Sequence, residues 1–149
     1  WFEPDHAAPL HGEASMAARV SRLGKGVAER FARRYYDSLC IVIHPRPAVA
    51  GSLYEWTRDG SILMGDHIPV DNLADKMKMS VGEASYPVDI ARMLGMFDRL
   101  LCDVAEHHTI KTGDMLMLPL TEIQPVALKR PLTLDITLGE TRVMRLKVR

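Results

Sequence analysis

The C-terminal stretch constrains the fold most. Leu132, Leu134, Ile136 and Leu138 alternate with polar residues from Pro131 onward, and Thr141 to Val148 alternates again after Gly139-Glu140. Side chains two apart on a strand share a face, so this pattern describes strands that set one face on a core. Two such runs joined across a Gly-containing dipeptide form a tight hairpin. Strands adjacent in sequence argue for an α+β domain, not an alternating parallel α/β fold.

The rest of the chain supplies further strands and two helices. Ile90, Leu94, Phe97, Leu101 and Val104 recur at steps of four and three, the single apolar stripe of a long helix. Ser85 or Asp89 is placed to cap it, and Pro87 suits its first turn. A second helix is expected over 26–37, where Val27, Phe31 and Tyr35 are four apart. Residues 14–20 read as a strand. Leu39 to Ile43 reads as a buried strand that Pro45 and Pro47 stop. A hairpin is expected where Leu53–Thr57 and Ser61–Met64 flank Arg58-Asp59-Gly60. Met115 to Pro119 follows the Gly113-Asp114 turn. Residues 71–85 lack helical periodicity and read as a loop.

Composition narrows the classes of function. With 149 residues the expectation is one domain spanning 1–149, and a hydrophobic fraction of 47% supplies its core. Lys plus Arg and Asp plus Glu both number 19, so the formal net charge is zero. Polyanion-binding proteins carry a basic excess, and nucleic acid is therefore not an expected partner. No run reaches the roughly 18 apolar residues of a membrane span, so a membrane is not expected either. Cys40 and Cys102 are read as small buried hydrophobes without a bridge. Trp1-Phe2-Glu3-Pro4-Asp5-His6 has no signal-peptide pattern, and the expected location is the cytoplasm.

Three stretches resemble the fumarylacetoacetate hydrolase superfamily, its short bacterial members above all. The first is Arg19-Val20-Ser21-Arg22-Leu23-Gly24-Lys25 with Ala28 to Asp37, similar to the family's strand, "LGK" turn and short helix. The second is Trp56 to Gly65, similar to a family hairpin. The third is His108-Thr109-Ile110-Lys111-Thr112-Gly113-Asp114-Met115-Leu116, similar to the segment after the family's last long helix. Order and spacing carry the resemblance from about Glu13 onward. It implies a mixed β-roll with two main helices, a homodimer, and hydrolysis, hydration, decarboxylation or isomerisation of a 2-oxo acid with magnesium or manganese. It also implies that an N-terminal strand or two is missing.

In that family two glutamates of an E-x-E strand and a downstream aspartate hold the cation, and a Gly-Thr holds substrate. Hard oxygen ligands suit magnesium, and the two-residue spacing turns both glutamates to one face. Here the E-x-E place reads Glu13-Ala14-Ser15, the aspartate place reads His44, and the Gly-Thr place reads Leu118-Pro119. Pro45-Arg46-Pro47-Ala48-Val49 follows where polar and basic residues are expected. The expected function is therefore a degenerate family member without the metal-dependent activity. The alternative is an active metalloenzyme on an acylpyruvate-like 2-oxo acid, with ligands rearranged to Glu13, His44 and His11. Imidazole in such a set favours zinc.

Other candidates have plainer readings. His107 and His108 diverge at a helix end, where a cation is favourable. Arg30, Arg33 and Arg34 read as a solvated helix face. The methionines read mainly as core filling.

Overall fold

The structure, a computed structural model, describes residues 9–47 and 59–149. It is the strand-rich α+β architecture expected from the sequence. Ten strands and two helices occur among the described residues: β1 (Leu10–Val20), α1 (Glu29–Ala32), β2 (Tyr36–Pro47), β3 (Leu63–Met64), β4 (Ile68–Pro69), β5 (Lys76–Val81), β6 (Ala84–Asp89), α2 (Ile90–His107), β7 (Met115–Pro119), β8 (Val126–Ala127), β9 (Leu132–Leu138) and β10 (Thr141–Val148). One sheet runs β3-β2-β1-β7, with β4 also on β2 and β8 also on β1. The other runs β10-β9-β5-β6, and every pair in both is antiparallel.

The long β1–β2 pair is the spine. Leu39, Ile41 and Ile43 face the main core with Met16, Ala18 and Val20 of β1, whereas Cys40 and Val42 face the other way, into a second small cluster with Ala17. Burial on both faces explains why Leu39–Ile43 is continuously apolar. The strand does not stop at Pro45. It continues to Pro47, with Gly12 opposite Pro45 and Leu10 opposite Pro47. The Ile41 carbonyl accepts the Gly65 N–H at 2.8 Å, so odd-numbered residues of β2 turn their backbone groups away from β1. Both prolines therefore lack an N–H on the side that β1 does not use.

α2 follows its predicted stripe. Ile90, Leu94, Phe97 and Leu101 are buried, joined by Met93 and Ala105, while Val104 is half-buried. Asp89 is the cap: its Oδ1 accepts the Arg92 N–H at 2.9 Å. Pro87 lies in β6, not in the helix's first turn.

The helix expected over 26–37 shrinks to the single turn of α1 and a 3-10 turn, Arg33–Tyr35, because Tyr36 already belongs to β2. Arg33 is not merely solvated. Its guanidinium forks onto both Asp98 oxygens of α2, at 3.1 and 2.8 Å. The Tyr36 hydroxyl lies 2.8 Å from the same carboxylate and 3.1 Å from the Leu94 carbonyl. Burial, and then Asp98, push the Tyr36 phenol well above its ordinary pKa. This clamp fastens the first strand-to-strand connection to α2.

Residues 71–85 are not a loop. A 3-10 turn at Val70–Asn72 leads into β5, which turns at Gly82-Glu83 into β6. The hairpin expected around Asp59-Gly60 falls partly outside the described residues. Within them, Leu63–Met64 pairs with Ile43 and Val42 of β2. The β9–β10 hairpin forms as expected, with Gly139 at φ 61° in its turn.

Candidate functional site

Strand parity sets the face on which the candidate residues stand. Glu13 lies directly opposite His44, Ser15 opposite Val42, and His11 opposite Arg46. All six share the face away from Met16, Ala18 and Ile41, which belong to the main core. Ser15 also faces Pro119 of β7, and His11 faces Ala127 of β8. Towards the other end of this face, Ala17, Cys40 and Val42 form a second small apolar cluster with Met115 and Met117. The face is thus polar at one end and apolar at the other.

Its polar end is organised around an ion pair. Arg46 donates to Glu13 Oε2 at 2.9 Å, reaching diagonally across the β1–β2 ladder. Ser15 and His44 are both buried, with His44 5% exposed, whereas the Glu13 side chain is 47% exposed. Burial lowers the His44 pKa, an effect that Glu13 opposes and Arg46 reinforces. At neutral pH the imidazole is uncharged.

These groups do not fit magnesium or manganese. Such ions ask for several oxygen ligands, usually more than one carboxylate. Among the described residues the polar end offers one carboxylate, already bonded to a guanidinium, one hydroxyl and two imidazoles, His44 and His11. Among the described residues no three His, Cys, Asp or Glu side chains come together as a metal site. Glu13 with neutral His44 is nitrogen-and-oxygen chemistry of the kind zinc accepts, but that pair alone falls short of a closed set. Leu118 turns to the main core and only Pro119 meets Ser15. The Gly-Thr place of the family pattern thus offers no hydroxyl here.

Arg46 is the functional group that sequence reasoning passed over. Its role depends on the β1–β2 register, which no local pattern encodes. His107 ends α2 and His108 caps it, and neither belongs to the β1–β2 ladder that carries Glu13 and His44. Both cysteines are free thiols, Cys40 buried and Cys102 half-buried in α2, and burial raises the pKa of each. No described helix is long and apolar enough to cross a membrane.

No protein-family sequence profile matches the chain, and no curated protein matches it. Solved structures do match its fold. A protein from Yersinia pestis CO92 assigned to the fumarylacetoacetate hydrolase family superposes with a TM-score of 0.73 at 15% identity, covering 99% of this chain and 77% of that one. Fumarylpyruvate hydrolase from Pseudomonas aeruginosa, solved with Mn2+ and pyruvate, gives 0.73 at 12% identity, covering 99% and 69%. Maleylpyruvate hydrolase from Sphingobium sp. SYK-6 gives 0.75 at 14% identity, covering 99% and 58%. The class is that of mixed α+β roll proteins. Within it, the chain has the fold of the fumarylacetoacetate hydrolase superfamily.

Proposed function

We propose that this chain is a fumarylacetoacetate hydrolase-type protein that has lost the magnesium- or manganese-dependent chemistry and serves as a binding or assembly-forming protein. The observation that carries this reading is the Glu13–Arg46 pair at 2.9 Å. The one acid that remains at the E-x-E place is neutralised by a built-in cation, and its partner places hold Ser15 and His44. The pair is partly exposed and weak in itself, but a metal ion drawn to Glu13 would meet the permanent positive charge of Arg46 and too few ligands.

A second reading has its own support. Glu13 and His44 stand directly opposite each other, and burial keeps His44 in the neutral form a metal requires. In that case zinc, with His11 as a further ligand, would serve an acylpyruvate-like 2-oxo acid. The pyruvate bound by the Pseudomonas enzyme is the model for such a ligand.

Calorimetric titration with magnesium, manganese and zinc, after measuring metal content, separates the two. The expected result is no stoichiometric binding and no turnover of oxaloacetate or an acylpyruvate. Stoichiometric binding that disappears in Glu13→Ala would overturn the degenerate reading and restore the enzyme. For the rearranged enzyme, unchanged activity after replacing both Glu13 and His44 would end the case.

We further take the chain to act as one domain and as a homodimer. The second sheet ends in β10 and β6, and edges of that kind are commonly covered by association. Sedimentation analysis across a concentration series tests this, with a monomer at all concentrations as the adverse result. The free thiols accord with a reducing, cytoplasmic setting.

A further inference from the structure

Between the β5–β6 hairpin, the first turns of α2 and the β7–β8 connection lies a cavity of about 570 Å³. Small-molecule sites fall in the range of roughly 300–1,000 Å³. Glu13, Ser15 and His44 are not in its lining. Leu118, which lines it, stands opposite Met16 and packs with the main core, whereas Pro119, also in the lining, stands opposite Ser15 where the sheet borders the cavity.

The walls are apolar and adaptable. Met77 comes from β5, Met93 and Met96 from α2, and Leu120 and Ile123 from the β7–β8 connection. Met93, Leu120 and Ile123 are nearly closed off from solvent, whereas Met96 remains 41% exposed. Three thioether side chains can repack around bodies of different shape.

Charge gathers at one end. Lys76 stands opposite Asp89 in the β5–β6 register, and Arg92 follows Asp89 by one turn of α2. Both cations line the cavity. Neither side chain makes an ion pair or hydrogen bond among the described residues. Asp89, opposite Lys76, gives one oxygen to the helix cap and keeps its charge. The start of an 18-residue helix adds its own positive pole. Glu122 enters the lining from the β7–β8 connection.

We propose that this cavity binds a free amphipathic carboxylate, its head between Lys76 and Arg92 and its aliphatic body against the methionine wall. A carboxylate satisfies both cations by charge-assisted hydrogen bonds, and the apolar lining gains by losing water. Neither Glu13 nor His44 takes part in this site.

The test is calorimetric titration of the full chain with decanoate, decan-1-ol and decyltrimethylammonium, all below micelle formation. Saturable binding of one decanoate per chain is expected, at least tenfold tighter than either analogue. The double variant Lys76→Gln/Arg92→Gln should weaken decanoate at least tenfold, and so should Met96→Glu at its exposed position. Glu13→Gln should leave the titration unchanged. Circular dichroism checks that each variant is folded. No saturable binding by the wild-type chain would overturn the proposal, and so would equal affinity for decyltrimethylammonium or undiminished binding in the folded double variant. Association with anionic vesicles without binding of monomeric decanoate would overturn it too.

Discussion

At the scale of single residues, His44 is the informative position. Its folded-state pKa lies below the ordinary histidine value of 6.5 because burial disfavours the imidazolium, although Glu13 pulls the other way. A group with a depressed folded pKa of this cationic kind takes up its proton more readily when unfolded. Its contribution is therefore fully present above pH 6.5 and is lost as pH falls through that value towards the folded pKa. Asp37 and Asp135 are also held below the ordinary carboxylate value of 3.8, chiefly by Arg19 and Arg145, but their losses belong to more acid solution. Denaturant titrations between pH 7 and 5 should thus show stability falling with pH, and His44→Gln should flatten that slope. An equal slope in the variant would place the titrating group elsewhere. In the family resemblance read from the sequence, Glu13 is the acid retained, and Ser15 and His44 are the places that differ. The sequence could not show that Arg46 neutralises Glu13, because a diagonal cross-strand contact exists only once the register is fixed.

Elements were legible where a period was strong. α2 carries five apolar residues on one stripe, and four of the five are buried. β5 was overlooked although Met77, Met79 and Val81 alternate with Lys76, Lys78 and Ser80, and Met79 and Val81 are buried. Lysine is depleted in strands and methionine does not mark them, so the period of two carries little weight and the segment reads as a loop from sequence. α1 failed in the opposite sense: the four-residue spacing of Val27, Phe31 and Tyr35 was real, but β2 claims Tyr36 for its pairing with Val20. α2 also permits a paired prediction. Gly95 sits in mid-helix with nothing within 4 Å of where a Cβ would stand. Gly95→Ala should stabilise the protein by about 0.5–1 kcal/mol, since glycine is the costlier residue in a helix interior. Asp89→Ala removes the cap and should cost about 1 kcal/mol. Urea midpoints for the two variants should move in opposite directions; a shift of both in one direction would mean that α2 is not governed by these local terms.

On the scale of the whole molecule, the question is what holds two sheets to one core. Part of the answer is a short crossing after β3. Gly65 donates to the Ile41 carbonyl at 2.8 Å, and Asp66 donates to the Val143 carbonyl at 2.7 Å, so one dipeptide bridges β2 of the first sheet and β10 of the second. A Cβ on Gly65 would lie 2.5 Å from the Val143 carbonyl oxygen and 3.1 Å from Met144 Cβ. Both neighbours belong to the β10 strand itself, and no side-chain rotation relieves the clash. Gly65→Ala must therefore push the sheets apart or break a bridging hydrogen bond, at a cost of about 1–3 kcal/mol, as for other overpacked sites. At roughly 2–4 °C per kcal/mol for a chain of this size, the melting temperature should fall by several degrees. The same substitution at Gly95 raises it, so the contrast isolates close approach from any general effect of alanine. If Gly65→Ala melted with the wild type, the sheet junction would have to tolerate separation, and the core shared by α2, β1 and β9 would alone be sufficient to hold the roll together.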